Sequence, residues 1–283
     1  MIAITGASGH LGKATLDFLL TKTNPESLVA IVRDSQKVTE FADKGVSVRQ
    51  GDYTDPASLV ASLAGVDTLL LISSAVLGEE RVRQHSNVIA AANEAGVKHV
   101  FYTSAPNPSL TSSFTPAIDH FHTENLLIGS GLTYTIFRNN LYLDVLPMVI
   151  GDAVQTGKLP YPAGDGKTSF VLRRDIAEGL ANALTATAKH ENKVYDIGAS
   201  TAWSFSDLAA GLGHDGTTVA YLDIPGSAYE AELAKHLPPP AVTIFAGMAE
   251  GIKKGEFDVP SSTLAELLGR EPLSLDEFLK SLA

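Results

Sequence analysis

Cysteine is absent from all 283 residues. That excludes disulfides, thiolate metal ligands and a thiol nucleophile, and it suits a reducing cytoplasm. No apolar run approaches the ~18 residues of a membrane-spanning helix. A strand pattern begins at Ile2 with no basic segment before it, so neither a signal peptide nor a membrane span is expected. Positive charge is short as well: 21 Lys and Arg face 32 Asp and Glu, a formal net charge of −11. Such a chain repels nucleic-acid phosphates and anionic lipid at long range, and no basic run offsets this. A small nucleotide remains a suitable partner, because it needs only one or two local cations. There is no repeat of fixed period and no low-complexity tract. The expectation is a cytoplasmic monomer or homodimer with a small-molecule substrate, no nucleic acid and no membrane.

What is present is an alternation. Strand-like runs lie at Ile2–Thr5, Leu28–Arg33, Val46–Gln50, Thr68–Ser73, His99–Thr103 and Thr133–Arg138. Helical patterns lie between them, near His10–Lys22, Gln36–Lys44, Pro56–Ala64, Glu80–Ala95 and Pro116–Ser130. Strand–helix–strand repetition implies a Rossmann-type, doubly wound parallel sheet with helices on both faces. "TLLLIS" is nearly all apolar, as burial on both faces requires. After Asn140 the rhythm changes. Leu141–Thr156 reads as a helix interrupted by Pro147 and Gly151. "KVYDIG" reads as another buried strand, Ser204 and Asp207 as a capping box, and "LPPPA" as a breaker. The expected layout is a nucleotide-binding domain over 1–140, with segments near 168–198 returning to it. A smaller, mostly helical substrate lobe would occupy 141–283.

"ITGASGHLGKAT" joins the first strand to the first helix. Gly6 can make the tight turn, Gly9 leaves room for a phosphate, and Gly12 lets the helix approach the sheet. The helix start then offers free N–H groups to a pyrophosphate. Ser8, Gly9, His10, Leu11 and Gly12 are therefore cofactor-binding candidates, with Gly6. The flanking strand and helix are the context that such a glycine triplet needs. The second strand ends in "AIVRD", where Arg33 can pair with a 2′-phosphate and favours NADPH over NADH, with Lys37 adding charge. Asp34 beside it argues the other way. Asp52 at the end of the third strand can accept from adenine, or serve as a turn residue. Tyr53 can flank the ring. Asp55 before Pro56 reads as a helix cap. "ISSA" and "YTSA" close the fourth and fifth strands. Ser73, Ser74, Thr103 and Ser104 there either line the crevice or satisfy turns.

"GASGHLG", "GDYTDPASL", "YTS" and "FRNN" together resemble the atypical short-chain dehydrogenase/reductase group with NmrA-like members. Within it the chain is similar to the NAD(P)H:quinone oxidoreductase 2 type and to the triphenylmethane reductases. The resemblance spans nearly the whole chain. It implies a Rossmann domain, a small C-terminal lobe, substrate in the cleft between them and a preference for NADPH. It also implies that the "DHFHTENLL" helix contacts the nicotinamide ribose, which brings His120 and Glu124 into the site. The chain departs from ordinary short-chain dehydrogenases, because no tyrosine has a lysine four residues later. His120 and Glu124 share a helical face instead and are placed to hydrogen-bond.

A simple ketone needs a proton or strong hydrogen bond on its oxygen as hydride arrives. A quinone spreads the charge, and a cationic triarylmethane dye is neutralised by hydride. Both suit a site without that tyrosine, where holding donor and acceptor face to face does most of the work. The expected activity is thus NADPH-dependent reduction of quinones or similar aromatic electrophiles. Dye reduction and a non-catalytic NADP-sensing regulator are the alternatives. Asn139 or Asn140 would orient the nicotinamide amide or a quinone oxygen, or stabilise the turn; Arg138 reads as an ion-pair partner. Tyr142, Phe170 and Trp203 are either substrate walls or core. "HFH" makes a poor metal site, because residues at i and i+2 diverge on a helix and no third ligand lies nearby in sequence; His122 reads as a surface or satisfied histidine.

Overall fold

The computed structural model describes residues 1–213 and 218–282. Its strands are β1 (Ile2–Ile4), β2 (Leu28–Val32), β3 (Ser47–Gln50), β4 (Thr68–Leu71), β5 (His99–Ser104), β6 (Thr133–Asn139), β7 (Lys158–Pro160), β8 (Lys167–Thr168), β9 (Lys193–Ile197), β10 (Trp203–Ser204) and β11 (Ala220–Leu222). Seven of them form one parallel sheet in the order β3-β2-β1-β4-β5-β6-β9. The doubly wound class expected from the alternation is the one found. The order reverses direction at β1, so a crevice opens between the carboxyl ends of β1 and β4, where such sheets bind ligands.

Period-two alternation explains the apolar strands. In β4, Leu70 packs into one core with Ile4, Ala30 and Phe101. Leu69 and Leu71 pack into the other with Ala3, Val29 and Val100. Each face needs its own leucine, and full burial of one stabilises by about 1.5–3 kcal/mol. Helices α1 (His10–Leu20) and α2 (Thr39–Ala42) cover the first face, and α3 (Pro56–Ser62), α4 (Glu79–Glu94) and α5 (Thr115–Gly129) the second. Asp55 caps α3 through the backbone N–H groups of Ala57 and Ser58, with Pro56 in its first turn.

Beyond β6 the structure corrects three expectations. The first concerns Leu141–Thr156, which is not one interrupted helix. A 3-10 turn (Leu143–Val145) leads into α6 (Leu146–Ile150), and α7 (Ala153–Thr156) follows. Pro147 sits in the first turn of α6, where its missing N–H is harmless, and the break comes from Gly151 at φ +52. The second concerns "KVYDIG". It is a strand, β9, but it forms the sheet edge, with Lys193 and Val194 exposed and Ile197 buried. The third concerns "LPPPA", which starts a helix as well as ending one. Pro238 is the N-cap and Pro239 the first residue of α11 (Pro239–Lys253).

The chain returns to the large sheet twice. Helix α8 (Arg173–Leu184) packs on α1, and α12 (Thr263–Leu268) packs on α8. A second core forms from α6, α7, α9 (Phe205–Leu212), α11 and α13 (Leu275–Ser281), with α10 (Gly226–Leu233) against α11. Ser204 and Asp207 form both arms of the capping box on α9. Phe170 is buried and Trp203 half-buried in this second core, so both pack structure there. Among the described residues no helix is long and apolar enough to cross a membrane.

Candidate active site

The first glycine turn is built from backbone. Gly6 has φ +61, a left-handed conformation that favours glycine. A Cβ on Gly12 would lie 2.5 Å from the carbonyl oxygen of Gly6 and 2.8 Å from Cα of Ala7. Helix α1 therefore touches the turn as closely as only glycine permits. Gly9 is the N-cap, and no side chain caps α1. Asp55, Ser204 and Ser274 cap other helices, but among the described residues no side chain takes the first N–H groups of α1, at His10 and Leu11, which a helix leaves without partners of its own. An uncapped helix start with positive dipole character, behind a glycine turn, fits a pyrophosphate.

A cleft of about 490 Å³ continues from this turn. Gly6, Ser8, Gly9, Arg33, Asp52, Tyr53, Ser73 and Ser74 line it, along with Ile72, Val76 and Gln84. Arg33 is exposed, and its guanidinium makes no hydrogen bond among the described residues. Asp34 accepts from the N–H of Gln36 at 3.1 Å and so caps a turn. Asp52 accepts from the N–H and hydroxyl of Thr54, both at 2.8 Å, through one oxygen. Those bonds, aided by Arg33, lower its pKa. The Tyr53 hydroxyl lies between Thr5 Oγ1 (2.5 Å) and the Ile72 carbonyl (2.7 Å), and burial raises its pKa.

The loop after β4 is held by buried partners. Ser73 donates its N–H to Thr103 Oγ1 at 2.9 Å, so that hydroxyl fixes the loop. Ser74 donates its N–H to His85 Nε2 at 2.8 Å and its hydroxyl to Gln84 Oε1 at 2.6 Å. Since Nε2 accepts, the His85 proton is on Nδ1, 2.9 Å from Thr123 Oγ1, whose own proton goes to the Asp119 carbonyl. Burial, and then the Arg81 charge, depress the His85 pKa to about 3, so the ring is neutral.

Beyond the cleft lining, which includes neither of them, His120 and Glu124 are buried and do not bond to each other, which corrects that expectation. His120 Nδ1 lies 2.6 Å from the Tyr102 hydroxyl. Glu124 instead takes Arg138 on both oxygens, at 3.0 and 2.7 Å, and accepts from Ser104 Oγ at 2.6 Å. The reason is register: Ser104 and Arg138 are paired neighbours on β5 and β6, and both face α5. Burial, then Arg81 and His85, push the His120 pKa far down. The two asparagines differ. Asn140 donates to the Phe257 carbonyl at 3.0 Å and accepts from the Leu141 N–H at 2.8 Å, joining the halves of the molecule. Asn139 is buried, and neither Nδ2 nor Oδ1 makes a hydrogen bond of ordinary geometry among the described residues, although the Tyr142 phenol is near enough for a weak one. Tyr142 lies beside it, and burial raises that phenol's pKa.

Gln84, His85, Tyr102 and Arg81 belong to this assembly and are not among the residues expected from the sequence. A signal for three of them was present: Arg81, Gln84 and His85 share the apolar face of α4 with Val88 and Ala92. A larger groove of about 910 Å³ runs along the outer side of α4 and α5, past Val82, Ser86, Ile118 and His122. None of the expected site residues lines it, and His122 is exposed there.

The sequence model of the NmrA-like family matches residues 1–279. Quinone oxidoreductase 2 of Escherichia coli is 38% identical over 284 aligned residues, covering 100% of this chain and 98% of the relative. The crystal structure of the NADPH-dependent quinone oxidoreductase from Escherichia coli, complexed with NADPH, superposes with a TM-score of 0.94 at 37% identity, covering 100% of this chain and 99% of that one. Citrobacter sp. triphenylmethane reductase complexed with NADP(H) also superposes with a TM-score of 0.94, at 34% identity over the full length of both chains.

Proposed function

Because the chain belongs to the NmrA-like family, we propose that it is an NADPH-dependent reductase of quinones and works without a Tyr-x-x-x-Lys acid. The observation that carries this reading is the full-length similarity to Quinone oxidoreductase 2, joined to a crevice whose residues fit the same cofactor. Gly6, Ser8, Gly9 and Gly12, with the N–H groups of His10 and Leu11, would hold the pyrophosphate. Arg33 would pair with the 2′-phosphate, and Asp52 and Tyr53 would bind adenine. Ser73 and Ser74, braced by Thr103, Gln84 and His85, would carry the cofactor toward the far end. Asn139 has the donor and acceptor that a carboxamide or a quinone oxygen requires. Asn140 would support it from the next position. Ser104, Glu124 and His120 would shape the nicotinamide end.

NADPH, when bound, supplies a hydride. The protein positions it, excludes water and offers preorganised polar groups where charge develops. A quinone needs no more than this, because its ring spreads the incoming charge. A second reading, reduction of triarylmethane dyes, draws on the similarity to the Citrobacter enzyme. The test is NADPH oxidation with and without 1,4-benzoquinone in the wild type and in Gly9→Trp. Quinone-dependent oxidation that the variant loses supports the proposal. Tight NADPH binding with no turnover on quinone or dye would put an NADP-sensing role in its place.

A further inference from the structure

Arg81 is 7% exposed, yet its guanidinium makes no hydrogen bond among the described residues. Its nearest carboxylate oxygen, Asp119 Oδ2, is 3.9 Å away and already accepts the Gly78 N–H at 2.9 Å. The pairing is loose for a charge so deeply placed, and buried guanidinium groups are costly unless closely paired. Helix periodicity fixes its direction. Glu79, Val82, Arg83 and Ser86 line the outer groove, whereas Arg81 shares the inward face with Gln84, His85 and Val88. Asp119 itself borders the outer groove, but Gln84, one turn further along the inward face of α4, lines the crevice, and His85 holds Ser74, which lines it too. His85 and His120 are neutral there. Asn139, with at most a weak bond to the Tyr142 phenol, lies beside it. A buried cation without a close partner among the described residues thus lies one helical turn from the crevice lining.

We propose that Arg81 stabilises the negative charge that forms on the acceptor oxygen, so that the cleft selects neutral quinones and disfavours acceptors that are already cationic. This rests on the quinone-reductase reading and names the substrate class within it. The step balances: a quinone takes one hydride, two electrons with one proton, from NADPH and becomes a hydroquinone monoanion, leaving NADP⁺. A proton from solvent completes the hydroquinone. Arg81 faces the monoanion and the transition state leading to it, and takes up no proton. A triarylmethane cation meets the same guanidinium as a like charge in a poorly screened setting.

The test compares charge at constant shape. The NADP⁺-loaded protein is titrated calorimetrically with 2-naphthoate and with its neutral isostere 2-naphthamide. Wild type is expected to prefer naphthoate. Arg81→Met is expected to weaken naphthoate about tenfold or more while naphthamide changes less than about twofold, the loss of one charge-assisted contact. Arg81→Lys is expected to restore part of the preference. In turnover, Arg81→Met lowers kcat for 1,4-benzoquinone by roughly a hundredfold, as removal of an oxyanion donor does. The rate with a cationic triarylmethane dye stays level or rises. Equal losses of both ligands, no naphthoate preference in wild type, or an unchanged quinone kcat would each overturn the proposal. If Arg81→Met does not fold, Arg81→Met with Asp119→Asn removes both buried charges, and the same ratio is read. Absence of quinone turnover in wild type sinks the reductase reading alone, because the naphthoate ratio still judges Arg81.

Discussion

The two ends of the crevice are made in opposite ways. The pyrophosphate end is backbone: a left-handed Gly6, an uncapped helix and a contact at Gly12 that leaves no space for a methyl group. Its parts are contiguous in sequence. The end proposed for the nicotinamide is side chain: Arg81 and His85 from α4, Tyr102 and Ser104 from β5, His120 and Glu124 from α5, and Asn139 from β6. Its parts meet only after the sheet has formed, and buried hydrogen bonds hold His85, Tyr102, Ser104, His120 and Glu124. A backbone site fails by steric clash and is indifferent to pH. A buried side-chain site fails when a proton or a charge is misplaced.

The largest effect is expected at Gly12. Gly12→Val places carbon where the Gly6 carbonyl stands, so either the turn or α1 must move. NADPH binding should fall below detection by calorimetry, with a stability loss of about 3 kcal/mol or more. Near-normal affinity in this variant would mean that the turn is more plastic than its 2.5 Å contact implies.

Next comes the pH dependence of the far end. An unfolded histidine titrates near ~6.5. In the folded protein His85 stays neutral down to about 3. Between these values the unfolded chain takes up a proton that the native chain refuses. The His85 contribution is therefore fully present above ~6.5 and is lost as pH falls toward 3, by about 1.4 kcal/mol per pH unit within that window. His120 and His99 are depressed by burial in the same direction. His85→Gln retains an acceptor for the Ser74 N–H and has no such proton. Denaturant unfolding at pH 7 and pH 5 should show a shallower loss in the variant. Parallel losses would mean that His85 does not resist protonation.

The same contrast explains what the sequence disclosed. The sheet, its two buried faces and the glycine turn follow from local patterns, and "TLLL" in β4 is read at sight because each residue meets its own core. The Asp55 and Ser204 caps are equally local. The His120–Glu124 pair failed for a non-local reason. Helical spacing does bring them near each other, but Arg138 and Ser104, adjacent across β5 and β6, compete for the carboxylate and hold it. The choice between Asn139 and Asn140 could not be made either. It depends on the Phe257 carbonyl, which α11 and the segment after it bring back from far along the chain. Arg81 was legible as a charge on an apolar helix face, but its lack of a close partner is a fact of three-dimensional packing.

A smaller effect returns to the glycine-turn end, at the exposed Arg33 that lines the cleft. Arg33→Gln should weaken NADPH about tenfold to a hundredfold and leave NADH within about twofold, the range of one charge-assisted phosphate contact. The NADPH-to-NADH affinity ratio reads this directly. An unchanged ratio would move the 2′-phosphate contact to Lys37.

The smallest effects distinguish two aspartates three residues apart. Asp55 caps α3 with two accepted bonds and does not line the cleft. Asp55→Ala should cost about 1 kcal/mol of stability, as lost caps do, and leave NADPH affinity unchanged. Asp52 lines the cleft, and Thr54 occupies one of its oxygens, leaving the other for a ligand. Asp52→Asn keeps an oxygen for Thr54 and loses the charge. It should weaken NADPH by about threefold to tenfold, the worth of one ordinary hydrogen bond, with little change in melting. The pair is a crossed test, since each variant should move only one of the two readouts. If Asp52→Asn lowers the melting temperature and spares affinity, Asp52 is a turn residue like its neighbour. The adenine end would then be held by Arg33, Tyr53 and shape, which would carry the backbone character of this half of the crevice further than the glycine turn.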